Sequence, residues 1–195
     1  MATWNQMSME MGSSWTSFNA YFFHEHMMMA VVMISILIGG MMISLLLNKF
    51  LNGHFLADHT LEIFWTMYPA YILFLIANPS LMLLYMMDFP GSSLLTIKAI
   101  GHQWYWSYEY NDWGKTIQFD SYMIPTTDLK INEFRLLEVD NRLVMPVQTK
   151  TLMLITSSDV IHAWTLPTAG IKMDAVPGRI NSVLTSLYFP GVYFG

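Results

Sequence analysis

The sequence predicts a two-helix membrane anchor followed by a small all-β domain. Two uncharged stretches and one change of texture predict it. Met27–Leu47 and Ile63–Met87 contain no Asp, Glu, Lys or Arg, and about 20 apolar residues suffice to cross a bilayer as a helix. Beyond them the chain becomes polar: of its Lys, Arg, Asp and Glu, eight basic and ten acidic residues lie at or after Asp88. A soluble helical hairpin and a cleaved signal peptide are the competing readings of the apolar runs. The first run starts late and lacks a basic leading segment, which argues against a signal peptide.

Between the runs, Asn48–Glu62 is short enough for a hairpin, which would leave both ends of the anchor on one side. Lys49 is the sole Lys or Arg there, so basic residues scarcely bias the orientation. Pro69 and Pro79 fall inside the second span, where the missing N–H and the ring predict a kink or local unwinding. Trp65 and Tyr85 stand near its ends as interfacial anchors. After Asp88, Leu94–Ile100, His102–Tyr110, Thr116–Asp120, Phe134–Val139, Thr151–Thr156 and Val160–Leu166 read as short strands. Asn-Asp, Asp-Asn and Pro-Gly turn signals separate or follow them, as in an antiparallel sandwich or barrel.

Composition narrows the chemistry. The 195 residues contain no cysteine and carry a net charge of −5. That excludes thiolate chemistry within them and leaves no basic footprint for nucleic acid. The 18 methionines outnumber the nine Lys and Arg together. They cluster where Ile and Leu would serve, as in Met27-Met28-Met29 and Met86-Met87. This pattern suits a genetic code that reads an isoleucine codon as methionine, as many mitochondrial genomes do.

Two segments concentrate unusual side chains. In Gly101-His102-Gln103-Trp104-Tyr105-Trp106-Ser107-Tyr108-Glu109-Tyr110, strand alternation puts His102, Trp104, Trp106, Tyr108 and Tyr110 on one face. An aromatic core and a π-rich docking or electron-conducting patch both fit that face. In Ser157-Ser158-Asp159-Val160-Ile161-His162-Ala163-Trp164-Thr165-Leu166-Pro167, His162 is a structural histidine or a metal ligand. One imidazole cannot make a metal site by itself.

Together these segments resemble cytochrome c oxidase subunit II. The resemblance extends through FFHEHMM at Phe22–Met28, EIFWTMYPA at Glu62–Ala70, SLMLLYMMD at Ser80–Asp88, FDSYMIP at Phe119–Pro125, FRLLEVDNR at Phe134–Arg142 and GIKMDAVPGRIN at Gly170–Asn181. It implies a subunit of the terminal respiratory oxidase, in the mitochondrial inner membrane, with the hairpin beside a catalytic haem–copper subunit. The domains would be a leading segment (1–26) in the intermembrane space, the hairpin (27–87) and a cupredoxin-like Greek-key domain (88–195). Both termini and the β domain would face the intermembrane space. The β domain would hold a binuclear copper centre that accepts electrons from cytochrome c and passes them toward oxygen reduction coupled to proton pumping.

By the same resemblance, His162 is a copper ligand, Trp104 with Tyr105 is where electrons arrive, and Glu62 marks the mouth of a proton-uptake channel. Glu62 also reads as a helix N-terminal acid. Glu109, Asp112, Asp140 and Asp159 are candidates for an acidic rim facing basic cytochrome c; each also reads as an ordinary surface charge. No chemistry is assigned to His24, His26, His54 or His59. The family's remaining copper ligands form a Cys-x-x-x-Cys-x-x-x-His-x-x-Met run, whose intervening Glu serves a magnesium site. That run is absent from these residues, so the β domain is expected to be incomplete at its C-terminal end. A partial chain, half of a naturally split subunit and a copper-free docking subunit of quinol-oxidase type are the alternatives, and retention of His162 and Trp104–Trp106 argues against the last. Met82 stands where the family usually has Arg, and Asn78 where it usually has an apolar residue. A polar group inside a membrane helix is expected to face a protein partner.

Overall fold

The computed structural model describes residues 5–54, 56–88, 91–111 and 114–195. Two long helices lead into a β domain of two sheets, as the apolar runs and the polar remainder predict. Helix α1 spans Trp15–Leu47 and α2 spans His59–Met87. Ser14 starts α1 by accepting a hydrogen bond from the Ser17 N–H at 3.1 Å, which satisfies one of the donors a helix leaves open at its first turn. The helix therefore begins well before the uncharged run. Asp58 caps α2, accepting from the N–H groups of Thr60 and Leu61 at 2.9 and 3.2 Å.

The helices meet along a narrow line. Tyr68 donates to Met33 Sδ at 3.8 Å, and Ile72, Ile76, Ser80 and Leu83 are half-buried on the same side of α2. Their remaining Leu, Ile, Met and Phe side chains are largely exposed. A soluble hairpin would bury such a surface, whereas membrane helices present it to lipid and to other helices. Helix α2 is continuous through Pro69 and Pro79, so the local unwinding expected there does not occur.

The larger sheet contains β1 (Leu95–His102), β2 (Tyr105–Tyr110), β3 (Ile117–Ser121), β4 (Thr151–Ser157) and β7 (Asn181–Thr185), in the order β3-β2-β1-β4-β7. A second sheet pairs β5 (His162–Leu166) with β6 (Ile171–Ala175), antiparallel. Alternation along β4 buries Thr151, Met153, Ile155 and Ser157. Met153 and Ile155 join Ile97, Ala99 and Tyr108 of the larger sheet and Trp164, Leu166, Ile171 and Ala175 of the smaller one in a single core.

Three sequence expectations fail in the β domain. The larger sheet is not wholly antiparallel, because β1 and β4 run parallel. Their intervening chain is long enough for a crossover, which a hairpin cannot provide. The stretch Phe134–Val139 forms turns rather than a strand: Leu136 has φ of +65°, and only Val139 makes an isolated bridge, to Met123. Finally, His102–Tyr110 is two strands. His102 pairs with Tyr105 across a tight reversal at Gln103-Trp104, so Trp104 leaves the face that Trp106 occupies. Strands β6 and β7 were not anticipated, since each is short and interrupted by polar residues.

The anchor is tied to the β domain at the start of α1. Ser13 N–H donates to the Thr168 carbonyl at 2.7 Å, Ser14 Oγ donates to the Ala169 carbonyl at 2.7 Å, and Tyr188 N–H donates to the Ser13 carbonyl at 2.8 Å. The acceptors lie on a 3-10 turn, Pro167–Ala169, which Gly170 ends in a left-handed conformation with φ of +67°. A Cβ on Gly170 would stand 3.1 Å from Ser17 Cα. The β domain therefore sits at one end of the hairpin, and the 48–58 connection at the other. Gly170→Ala is expected to cost about 1–2 kcal/mol from the left-handed backbone alone and to loosen this junction. Thermal unfolding of the detergent-solubilised chain measures the first effect, and faster proteolysis near Ser13–Trp15 the second.

Candidate functional site

The parallel pairing of β1 with β4 sets Gly101 opposite Ser157. Two otherwise distant turns, the β1–β2 reversal and the β4–β5 loop, are thereby brought together at one end of the domain. Asp159 joins them. Its Oδ2 accepts from Gln103 N–H at 2.7 Å, while its Oδ1 meets His162 Nε2 at 2.8 Å and accepts from Val160 N–H at 2.6 Å. Ser157 Oγ adds a further bond to Oδ1 at 3.1 Å. Burial pushes this carboxyl upward, but the hydrogen bonds from His162, Val160, Gln103 and Ser157 outweigh it and hold it well below the usual carboxylate range. Asp159 is therefore an ionised orienting group rather than a free surface charge.

His162 opens β5 with its ring held on three sides. Asp159 fixes Nε2, Trp106 meets the ring edge-on with centroids 6.0 Å apart, and Gly101 supplies the space on the third side. A Cβ on Gly101 would approach His162 Cδ2 to 2.9 Å, so only glycine allows the ring to lie there. Anchoring one imidazole nitrogen on a carboxylate sets the tautomer and presents the other, Nδ1, as a donor to a metal.

Beside this group runs an aromatic stack. His102 lies on Tyr105 with centroids 4.4 Å apart and planes 3° from parallel, and Tyr105 lies on Tyr122 at 4.5 Å. His102 Nδ1 meets Ser158 Oγ at 2.7 Å, which attaches the stack to the β4–β5 loop. Trp104, at the tip of the reversal, is 87% exposed. Trp164 and Tyr108 are core residues instead, joined by an indole N–H to hydroxyl bond of 3.3 Å.

The acidic residues separate. Asp140 belongs near the stack and accepts from Tyr122 N–H and Asn141 N–H at 2.8 and 2.7 Å. Glu109 lies toward the other end of β2, paired with Lys98 at 3.1 Å, and Asp112 lies outside the described residues. Glu62 stands in the first turn of α2, at the end of the hairpin away from the β domain. His59 Nδ1 is 3.5 Å from its Oε2, and Ile63, Thr66 and Met67 complete a shallow groove around the pair. Sequence reasoning did not single out Tyr122 or the Ser158–His102 contact; their signals were the FDSYMIP peptide and the serine pair before Asp159.

The family profile "Cytochrome C oxidase subunit II, periplasmic domain" matches residues 95–195, and "Cytochrome C oxidase subunit II, transmembrane domain" matches residues 2–83. The chain belongs to the cytochrome c oxidase subunit II family. It is 48% identical over 195 residues to cytochrome c oxidase subunit 2 of Yponomeuta malinellus, covering 100% of this chain and 85% of that protein. Its identity to the same subunit of Ctenocephalides felis is 49%, covering 100% and 86%. The periplasmic domain of subunit II of cytochrome oxidase from Bradyrhizobium japonicum is 44% identical. That likeness covers 55% of this chain and 73% of that one, with a TM-score of 0.49.

Membership places the chain in a membrane-bound respiratory oxidase, with a cupredoxin-like domain on a two-helix anchor. The family's copper can be tested against the residues present. His162, with Nε2 occupied and Nδ1 facing outward from the Asp159 bond, fits one imidazole ligand. No group of three or more His, Cys, Asp or Glu suited to a metal occurs among the described residues, so His162 fits one corner of a site and not a whole one. Gly101→Ala is expected to displace the His162 ring while leaving the fold intact. The imidazole nitrogen resonances of His162 report the broken Asp159 bond, and unchanged resonances would remove the steric role given to Gly101.

Proposed function

We propose that this subunit II chain accepts electrons from cytochrome c on its β domain and relays them to a haem–copper partner subunit, in a proton-pumping oxidase of the mitochondrial inner membrane. One observation supports this reading: the β1–β2 reversal leaves Trp104 87% exposed at its tip, and two residues on, Trp106 meets the candidate copper ligand His162 edge-on. An exposed indole gives a donor protein close access. From there the route runs through two residues of backbone to Trp106, whose ring meets His162 edge-on.

Each residue has a distinct task in this reading. Trp104 and Tyr105 receive the donor, with Tyr122 and His102 stacked behind Tyr105 to keep its ring from rotating. Asp140 and Asp159 place negative potential around that face, which speeds encounter with a basic partner. Glu109 contributes less, because Lys98 offsets its charge. Asp159 also holds His162 in one orientation, so the ligand need not rearrange when charge arrives. A binuclear copper centre supplies one-electron chemistry with little nuclear rearrangement, and His162 Nδ1 would be the nitrogen that holds it here.

Glu62 lies at the opposite end of the hairpin. At about 1.5 Å per residue, α2 separates it from the β domain by roughly 40 Å, enough to cross a bilayer. With the β domain in the intermembrane space, Glu62 opens on the matrix side, beside His59, as a proton-collecting carboxylate should.

Replacing Trp104 by Phe in the assembled oxidase is expected to slow electron arrival from cytochrome c by about tenfold or more, a barrier increase of about 1.4 kcal/mol. Stability should not change, because the side chain packs against little. Flash-initiated reduction kinetics measure the rate, and an unaltered rate removes the role of Trp104. Glu62→Gln should lower protons pumped per electron in reconstituted vesicles while electron arrival at the β domain stays normal; normal pumping removes the role of Glu62.

A further inference from the structure

Three methionines stand in the open where lipid does not explain them. Those of the two uncharged runs, such as Met28 and Met86, sit where any apolar side chain serves a membrane helix. Met7, Met9 and Met11 precede α1, and they are 83%, 39% and 85% exposed. The chain that follows them is fixed on the β-domain side of the hairpin. Ser13 N–H donates to the Thr168 carbonyl at 2.7 Å, and a Cβ on Gly12 would stand 2.8 Å from Phe18 N, so Gly12 is pressed against the start of the helix. From Trp15 to Met27 the helix measures roughly 18 Å, which sets the three thioethers well clear of the uncharged run. Their spacing is the second observation. Met7-Ser8-Met9-Glu10-Met11 puts a thioether at every second residue of a stretch that is neither helix nor strand. Four residue steps span at most about 14 Å of chain, and a bend at Ser8 shortens that span. At the bend, Gln6 Nε2 donates to the Ser8 carbonyl at 3.0 Å. Methionine has three rotatable side-chain bonds, so three sulfurs this close in the chain can converge on one ion.

We propose that Met7, Met9 and Met11 bind one Cu(I) ion through their three thioether sulfurs, at a site separate from His162. The donor chemistry selects the metal. Thioether sulfur is soft and neutral, so it favours Cu(I) over hard ions such as magnesium and calcium. Zinc takes thiolate, imidazole and carboxylate ligands instead. Glu10, between the second and third thioethers, adds a negative charge that favours a cation over any neutral ligand. Three neutral donors leave the ion's charge largely uncompensated, so the copper is held exchangeably. It arrives and leaves as Cu(I), with no change of oxidation state. The site shares no residue with the His162 group and stands whether or not cytochrome c is the electron donor.

The test is a Cu(I) titration of the full chain in detergent, without oxygen and with ascorbate, the methionine methyl groups carrying carbon-13. The methyl resonances of Met7, Met9 and Met11 are expected to shift together and to stop shifting at one equivalent of Cu(I). Zinc should leave them in place. Copper taken up at His162 does not move these three methyls, so the readout separates the two sites. A variant combining Met7→Leu, Met9→Leu and Met11→Leu keeps the apolar volume and loses no core contact, so its unfolding temperature should match wild type. A chromogenic Cu(I) chelator should strip copper from it at least tenfold more readily. Unmoved methyls in a tenfold excess of Cu(I) overturn the proposal, as does a combined variant that holds copper as firmly as wild type. Shifts confined to methionines of the two spans place the copper there and overturn it as well. The same shifts with zinc overturn the thioether selection.

Discussion

The geometry of the β domain depends on the parallel ladder between β1 and β4. It sets Gly101 across from Ser157, and every contact of the site follows from that register. A two-residue slip would carry the Gln103 N–H away from Asp159 Oδ2 and break the bond by which this carboxylate joins the two turns. Asp159 thus does two things with one group: it closes the junction between two turns and it aligns His162. Because Gly101 is also the floor under the imidazole, the same strand that fixes the register makes room for His162.

The second constraint is the rigid attachment of the anchor. A β domain joined to the hairpin only through the chain after α2 would be free to tilt. Ser13 and Ser14 add a return connection from the start of α1 to the turn at Thr168 and Ala169. With two attachments, the face that carries Trp104 is held at a fixed height and angle relative to the hairpin. Tunnelling between redox centres falls steeply with distance, so a fixed height suits the proposed electron transfer. The same hairpin carries Glu62 to the far side, so both ends of the proposed chemistry are placed by one pair of helices.

Much of this was legible in the chain itself, and the misses have physical causes. The spans were visible because a bilayer demands about 20 apolar residues in a row. The starting point of α1 at Trp15 was not, since it depends on the Ser14 cap and on docking to a turn about 150 residues away. Strict alternation suggested one strand over His102–Tyr110. Alternation cannot report a two-residue reversal whose flanking residues are both aromatic. Phe134–Val139 has the composition of a strand, yet Glu138 bonds Arg142 and the backbone turns at Leu136.

What the sequence determined by itself is the class of structure and the family: uncharged runs must be satisfied as membrane helices, and long peptides such as GHQWYWSYEY are too unusual to arise independently. It also marked His162, Trp104 and Glu62 one at a time. Only the tertiary structure decided their relations. It separated Trp104 from Trp106 at the hairpin tip, removed Glu109 from the acidic group and made Asp159 an orienting group. Those outcomes rest on pairings between residues far apart in the chain, and pairing is set by burial and register across the whole fold, which no local pattern contains.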